Sequence, residues 1–168
     1  MKLSTIMSKT KPAIFIILFI ICALNTKAQD KAAIKDSVIK AQMIDPFEKY
    51  AADQQQIPEW QKLSTQISSK YGRVIANRLV DREQIFYNYG RNWPAFTAAL
   101  VRYTEKYEDH NNLSLLNKNA AMIAQFSTDK KELETALSWS KHTLDKEPGN
   151  ADYQKTYDAL NAKIANAN

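Results

Sequence analysis

The chain has 168 residues, with 23 Lys or Arg against 18 Asp or Glu and a formal charge of +5. Four of the bases (Lys2, Lys9, Lys11 and Lys27) and none of the acids lie in the first 28 residues, so residues 29–168 carry 19 bases, 18 acids and a charge of +1. A near-neutral body of this kind lacks the electrostatic footprint of a nucleic-acid binder and the Lys/Arg cluster that an anionic membrane surface attracts.

The N-terminus reads as a secretory leader. Three lysines precede the apolar run Ala13–Leu24, and Thr26-Lys27-Ala28 sets small residues at the two positions a signal peptidase reads. The run is shorter than the ~20 residues a membrane-spanning helix needs. The expected cut follows Ala28, giving a protein that starts at Gln29 and works in the periplasm or outside the cell. Cys22 is the only cysteine, and Ile21 before it is not the small residue that lipid anchoring requires. Residues 29–168 then have no thiol for a disulfide, a sulfur-bound metal or redox chemistry. They are long enough for one domain with a core of its own.

From there the chain reads as helices, punctuated by scarce Pro and Gly, with no hairpin signal between alternating apolar runs. The first helix spans about Asp30 to Ile44, with Ile34, Val38 and Ala41 on one face. Asp45 caps a short second one, with Pro46 in its first turn and Glu48 completing a capping-box pattern. The third carries Trp60, Leu63, Ile67 and Tyr71 and stops at Gly72. The fourth, about Arg73 to Tyr89, carries Ile75, Leu79 and Phe86 and stops at Gly90. Asn92 caps the fifth, whose stripe Trp93, Phe96, Leu100, Tyr103 and Tyr107 is the clearest in the chain.

The sixth, Leu113 to Phe126, is apolar around most of its circumference, as befits a helix packed between others. The seventh opens at Asp129, where Asp-Lys-Lys-Glu resembles a capping box, and carries Leu133, Ala136, Leu137, Ser140 and Leu144. The eighth opens at Asn150 with Tyr153, Tyr157, Leu160 and Ile164, and the tail from Asn161 is expected to fray. Short connections make consecutive helices antiparallel. Trp93, Phe96, Leu100 and Tyr103 are therefore expected to face Leu116, Ala120 and Ile123.

The last third matches the tetratricopeptide (TPR) pattern. Asn119-Ala120-Ala121 stands for the Asn-Leu-Gly of a first helix, and Ala136, Thr143 and Pro148 keep the spacings of a second. A longer resemblance runs from Phe47 to Leu160. Trp93, Ala99-Leu100, Tyr103, Leu116-Asn117, Ala121, Asp129-Lys130, Ala136-Leu137, Trp139, Asn150 and Thr156-Tyr157 resemble the helical C-terminal region of secreted thioredoxin-like proteins of the Bacteroidetes type. The thioredoxin domain itself and its Cys-x-x-Cys are absent, so the relatives' redox activity does not carry over. Asp158 stands where such tails have a small residue. The helical period and the boundary Gly and Pro predict a single all-α domain over 29–168 built of antiparallel helical hairpins. The resemblance implies that they stack as a small TPR-like array, with the eighth helix closing it as a cap.

No catalytic motif is recognisable in the sequence. Glu105, Glu108, Asp109 and His110 cluster at a helix end, but without a second histidine at helical spacing they read as solvated side chains rather than metal ligands. Asn112-Leu113-Ser114 is a chance glycosylation pattern. Trp60 and Trp93 lie on apolar stripes and read as core. Trp139 is offset from Leu133, Leu137 and Leu144 and is a candidate surface contact for a partner. Lys118 and Asn119 lie on the repeat's first helix, whose equivalents line the inner groove of TPR arrays, and are candidates for receiving a peptide carboxylate. The expected function is a non-catalytic, cofactor-free module that binds a protein or peptide. The alternative is an accessory of an envelope thioredoxin-like system without thiol chemistry of its own.

Overall fold

The computed structural model describes residues 35–166, and every described element is helical. The leader, its cleavage site, Cys22 and Ile34 lie outside the described residues. The chain divides into two compact units at Pro58/Glu59.

In the first unit, helix α1 (35–39) passes through a π-helical turn, Lys40–Ile44, into α2 (Asp45–Asp53) without a break. The turn corrects the expected face. Residues five apart align in a π turn, so fully buried Ile39 and Ile44 make the inner row, while Val38 is 42% exposed. Asp45 does not cap α2 either. Both Ile44 and Asp45 are αR, the Asp45 N–H donates to Lys40 O, and the Asp45 carboxylate pairs with Lys40 Nζ at 3.2 Å. Pro46 follows directly. It has no N–H to give, and its ring crowds the carbonyl four residues back; the widened turn comes just ahead of it.

The second unit holds α3 (Trp60–Tyr71), α4 (Arg73–Asn88), α5 (Trp93–Tyr107), α6 (Leu113–Phe126), α7 (Lys130–Lys146) and α8 (Ala151–Asn166). Gly72 ends α3 and starts α4 at φ 89° and ψ 152°, a region essentially reserved for glycine. Asn92 Oδ1 caps α5 by accepting from Ala95 N at 3.1 Å. Asp129 Oδ1 caps α7 by accepting from Glu132 N at 3.0 Å. The other half of that box runs through Ser127, which accepts from Asp129 N and donates to Glu132 Oε2 at 2.6 Å.

Consecutive helices pack as antiparallel hairpins. In α4 and α5, residues near the turn meet each other (Tyr89 and Phe96), and residues far from it meet as well (Asp81 with Arg102 and Tyr107). Packing of α5 on α7 and of α6 on α8 lays these hairpins side by side. The core they enclose contains Phe96, Leu100, Leu116, Ala120, Ile123, Leu133, Ala136, Trp139 and Leu160, with Trp93 packed against it. Three of the four aromatic or aliphatic positions expected to meet α6 are thus in or on this cluster. Tyr103 instead pairs with Tyr107, at 5.3 Å between rings.

Two further expectations are corrected. On α4 the buried row is Ala76, Leu79, Val80 and Glu83, and Phe86 lies off it, 66% exposed. The segment from Asn161 stays helical to Asn166, where Lys163 donates from Nζ to Ala124 O at 2.8 Å and Gln125 O at 3.2 Å. Those carbonyls belong to the last turn of α6, whose C=O groups have no partner within the helix. The lysine satisfies them and places its charge at the negative end of the α6 dipole.

Candidate functional site

Helices α6 and α8 are the first and third of three consecutive antiparallel helices and so run the same way. Both are started by asparagines: Asn112 Oδ1 accepts from Leu115 N at 3.3 Å, and Asn150 Oδ1 accepts from Asp152 N at 3.1 Å. Between them runs a groove of about 420 Å³. Ala121, Ala124 and Ala159 are the small residues of its lining. Asn117 and Gln125 edge it on the α6 side, and Asp152, Lys155 and Thr156 on the α8 side.

The groove's polar groups are underused. Asn117 Oδ1 is buried and, among the described residues, accepts no hydrogen bond, a costly state for an amide oxygen unless something else donates to it. Among the described residues, neither the Asp152 carboxylate nor the Lys155 ammonium forms an ion pair, although they stand one turn apart on α8. An amide acceptor, an anion and a cation beside an alanine lining suit an extended backbone with its own alternating donors and acceptors.

The residues singled out from the sequence fall elsewhere. Lys118 is exposed, beside Asn117 in sequence but not lining the groove. Asn119 is 5% exposed and turned inward, its Nδ2 donating to Thr104 Oγ1 at 3.0 Å and Glu108 Oε2 at 2.9 Å. It joins α6 to α5 and is not open to a ligand. Trp139 is 2% exposed, and its Nε1 donates to Glu105 Oε1 at 2.6 Å. The surface reading of Trp139 rested on its offset from Leu133, Leu137 and Leu144. The face that packs is Leu133, Ala136, Trp139, Ser140 and Thr143, mostly small or hydroxylated residues that let helices approach closely.

The acidic cluster at the end of α5 is likewise occupied with structure. Glu105 holds Trp139, Glu108 holds Asn119, Asp109 Oδ1 accepts from Asn111 N at 2.9 Å, and His110 Nε2 lies 3.2 Å from Thr104 O. Burial raises the Glu108 carboxyl above the ordinary glutamate value, against the opposing pull of the Asn119 hydrogen bond and His110. The Asn111 hydrogen bonds lower Asp109. No group of three or more His, Cys, Asp or Glu able to hold a metal ion occurs among the described residues. Nor, among them, is any helix long and apolar enough to cross a membrane. Trp93 stacks on Phe126, rings 3.9 Å apart and 5° from parallel, and Trp60 meets Tyr87 edge-on at 5.3 Å.

The α6/α8 residues that the sequence did not single out are Asn117, Asp152 and Lys155. Their signal is faint. Alanines at 121, 124 and 159 mark where two helices leave room, but the two sets lie far apart in sequence. Comparison with family models, curated proteins and solved structures finds no match for this chain.

Proposed function

We propose that the protein is an exported, non-catalytic helical module that holds an extended segment of a protein partner in the α6/α8 groove. The observation that carries this reading is the buried Asn117 Oδ1, unpartnered among the described residues, on a groove whose Asp152 and Lys155 are also without ion-pair partners among them. With the Asn117 side chain turned toward the groove, a backbone N–H of the bound segment would satisfy the amide oxygen. Lys155 would take a carboxylate of the segment and Asp152 a basic group, so a segment carrying both signs fits best. The lining alanines leave room for a backbone and small side chains. Export rests on the leader pattern of residues 1–28.

The test is to fill the groove from one of its alanines. Ala159 is exposed, so Ala159→Leu should change stability by no more than about 0.5 kcal/mol. Residues 29–168 and this variant are screened on an array of short peptides varied in charge. Wild type should retain peptides carrying both an acid and a base, and the variant should lose them at unchanged Tm. Equal retention by the two proteins would reject the groove as the site.

A further inference from the structure

A second groove lies on the α3/α4 hairpin, apart from the α6/α8 site. Gln61, Ser64, Thr65, Ser68 and Ser69 recur on α3 at the three- and four-residue spacing of one helix face, the face beside the Leu63/Ile67 row. With Arg73 and Asn77 of α4 they line about 350 Å³, a size within the ~300–1,000 Å³ of small-ligand clefts. Every lining residue is polar, none is acidic, and Arg73 is the only charged one.

The hydrogen-bonding state of these side chains says what they would take. The Thr65 hydroxyl donates to Gln61 O at 3.0 Å and that of Ser69 to Gln66 O at 2.8 Å. Their protons are spent within the helix, and their oxygens are left as acceptors. Ser64 Oγ donates to Asn77 Oδ1 at 3.2 Å, which leaves the Asn77 Nδ2 donors free. Among the described residues, the Gln61 amide, the Ser68 hydroxyl and the Arg73 guanidinium have no partner. The groove therefore offers neutral donors and neutral acceptors side by side, plus one cation with planar, bidentate geometry and no competing carboxylate.

We propose that this groove binds an acidic sugar, a hydroxylated ring bearing one carboxylate. Arg73 takes the carboxylate as a bidentate pair. Thr65 and Ser69 accept from ring hydroxyls, and the amides of Gln61 and Asn77 donate to ring or hydroxyl oxygens. An inorganic oxyanion would use Arg73 and leave the acceptors idle. A neutral sugar would use the acceptors and leave Arg73 idle.

The experiment is a titration of the isotope-labelled chain, followed by amide shifts, in three separate arms: sodium glucuronate, glucose and sodium sulfate. Glucuronate should give saturable shifts at Ser64, Ser68, Arg73 and Asn77, and should bind more tightly than either control. Arg73→Gln should weaken glucuronate about tenfold or more, to the level of glucose, because a charge-assisted hydrogen bond is lost. Thr65→Val keeps the shape, removes an acceptor and should weaken glucuronate and glucose alike. Both side chains are exposed, and the fingerprint spectrum reports folding of each variant directly. No saturable shift at these residues up to ~100 mM glucuronate, a range covering binding weaker than millimolar, would overturn the proposal. So would sulfate binding as tightly as glucuronate, which would mark an oxyanion site only. A folded Arg73→Gln variant that binds glucuronate unchanged would overturn it as well.

Discussion

Trp139 Nε1 donates to Glu105 Oε1 at 2.6 Å, tying α7 to α5 across 34 residues of sequence. The indole body is 2% exposed within the core, while Glu105 reaches it from the solvent side of α5. The bond explains how a tryptophan can be buried at this position: its N–H needs a partner, and an acid one helix away supplies it. Trp139→Phe keeps a ring but drops the donor, and should cost about 1–3 kcal/mol in urea unfolding. Trp139→Ala should cost about 3–5 kcal/mol. A Phe variant as stable as wild type would show that the bond contributes nothing.

Asn119 and Lys118 are neighbours in sequence with opposite environments. Removing the Asn119 amide leaves Thr104, fully buried, and Glu108 without their donor. Asn119→Ala should therefore destabilise by about 1–3 kcal/mol, whereas Lys118→Ala, at an exposed site, should stay within ~0.5 kcal/mol. Thermal unfolding of the two single variants reads the contrast directly. Equal, negligible effects would place Asn119 on the surface.

Leu100 sits at the centre of the α5 stripe and is 5% exposed within the main cluster. Leu100→Ala should cost about 2–5 kcal/mol, the range for opening a cavity in a packed core. A loss below about 0.5 kcal/mol, the size of a surface effect, would mean that α5 does not face α6 and α7 in solution as described.

These residues show which features were legible in the sequence. Several helix ends were, because a cap is local: Gly72, Asn92 and Asp129 each act within a few residues of themselves, and α6 begins and ends where its apolar run does, whereas Asp45, read as a cap, lies inside a continuous helix. Faces were legible where the expected residues recur at helical spacing, as at Leu63 and Ile67 of α3, Phe96 and Leu100 of α5, and Leu133, Ala136 and Ser140 of α7. They were misjudged where a residue beside that row is buried with it, as Trp139 and Thr143 are on α7. Helix α6 is apolar nearly all round, so no pattern could say that Asn119 turns inward. The π turn at Lys40–Ile44 moved a face by adding a residue to one turn, which a fixed helical period cannot anticipate. The groove residues Asn117 and Lys155 become neighbours only through folding, so no local pattern couples them.

Gly72 offers a test of backbone rather than packing. Nothing lies within 4 Å of where a Cβ would be, so space is not the obstacle. The obstacle is its φ of 89° with ψ of 152°, which side-chain-bearing residues reach at a cost of roughly 1–3 kcal/mol. Gly72→Ala should destabilise by that amount, although it is usually stabilising to replace glycine where φ is ordinary. A stabilised variant would show that the α3/α4 turn adopts a different backbone.

Glu108 gives a pH prediction whose sign follows from burial. Burial raises its folded-state value above the ordinary glutamate range, despite the Asn119 hydrogen bond and His110, which both pull it down. Between the unfolded and folded values the native state holds more protons than the unfolded one, so stability falls as pH rises through that window. Its contribution is fully present below the ordinary glutamate value and is lost above the raised one. Glu108→Gln keeps an oxygen for Asn119 to donate to and has no carboxyl to ionise. Urea unfolding of both proteins from acid to neutral pH should give a difference that shifts in favour of the Gln variant as pH passes upward through the window. A difference that stays flat, or moves the other way, would mean that the charged form of Glu108 is the one the fold favours.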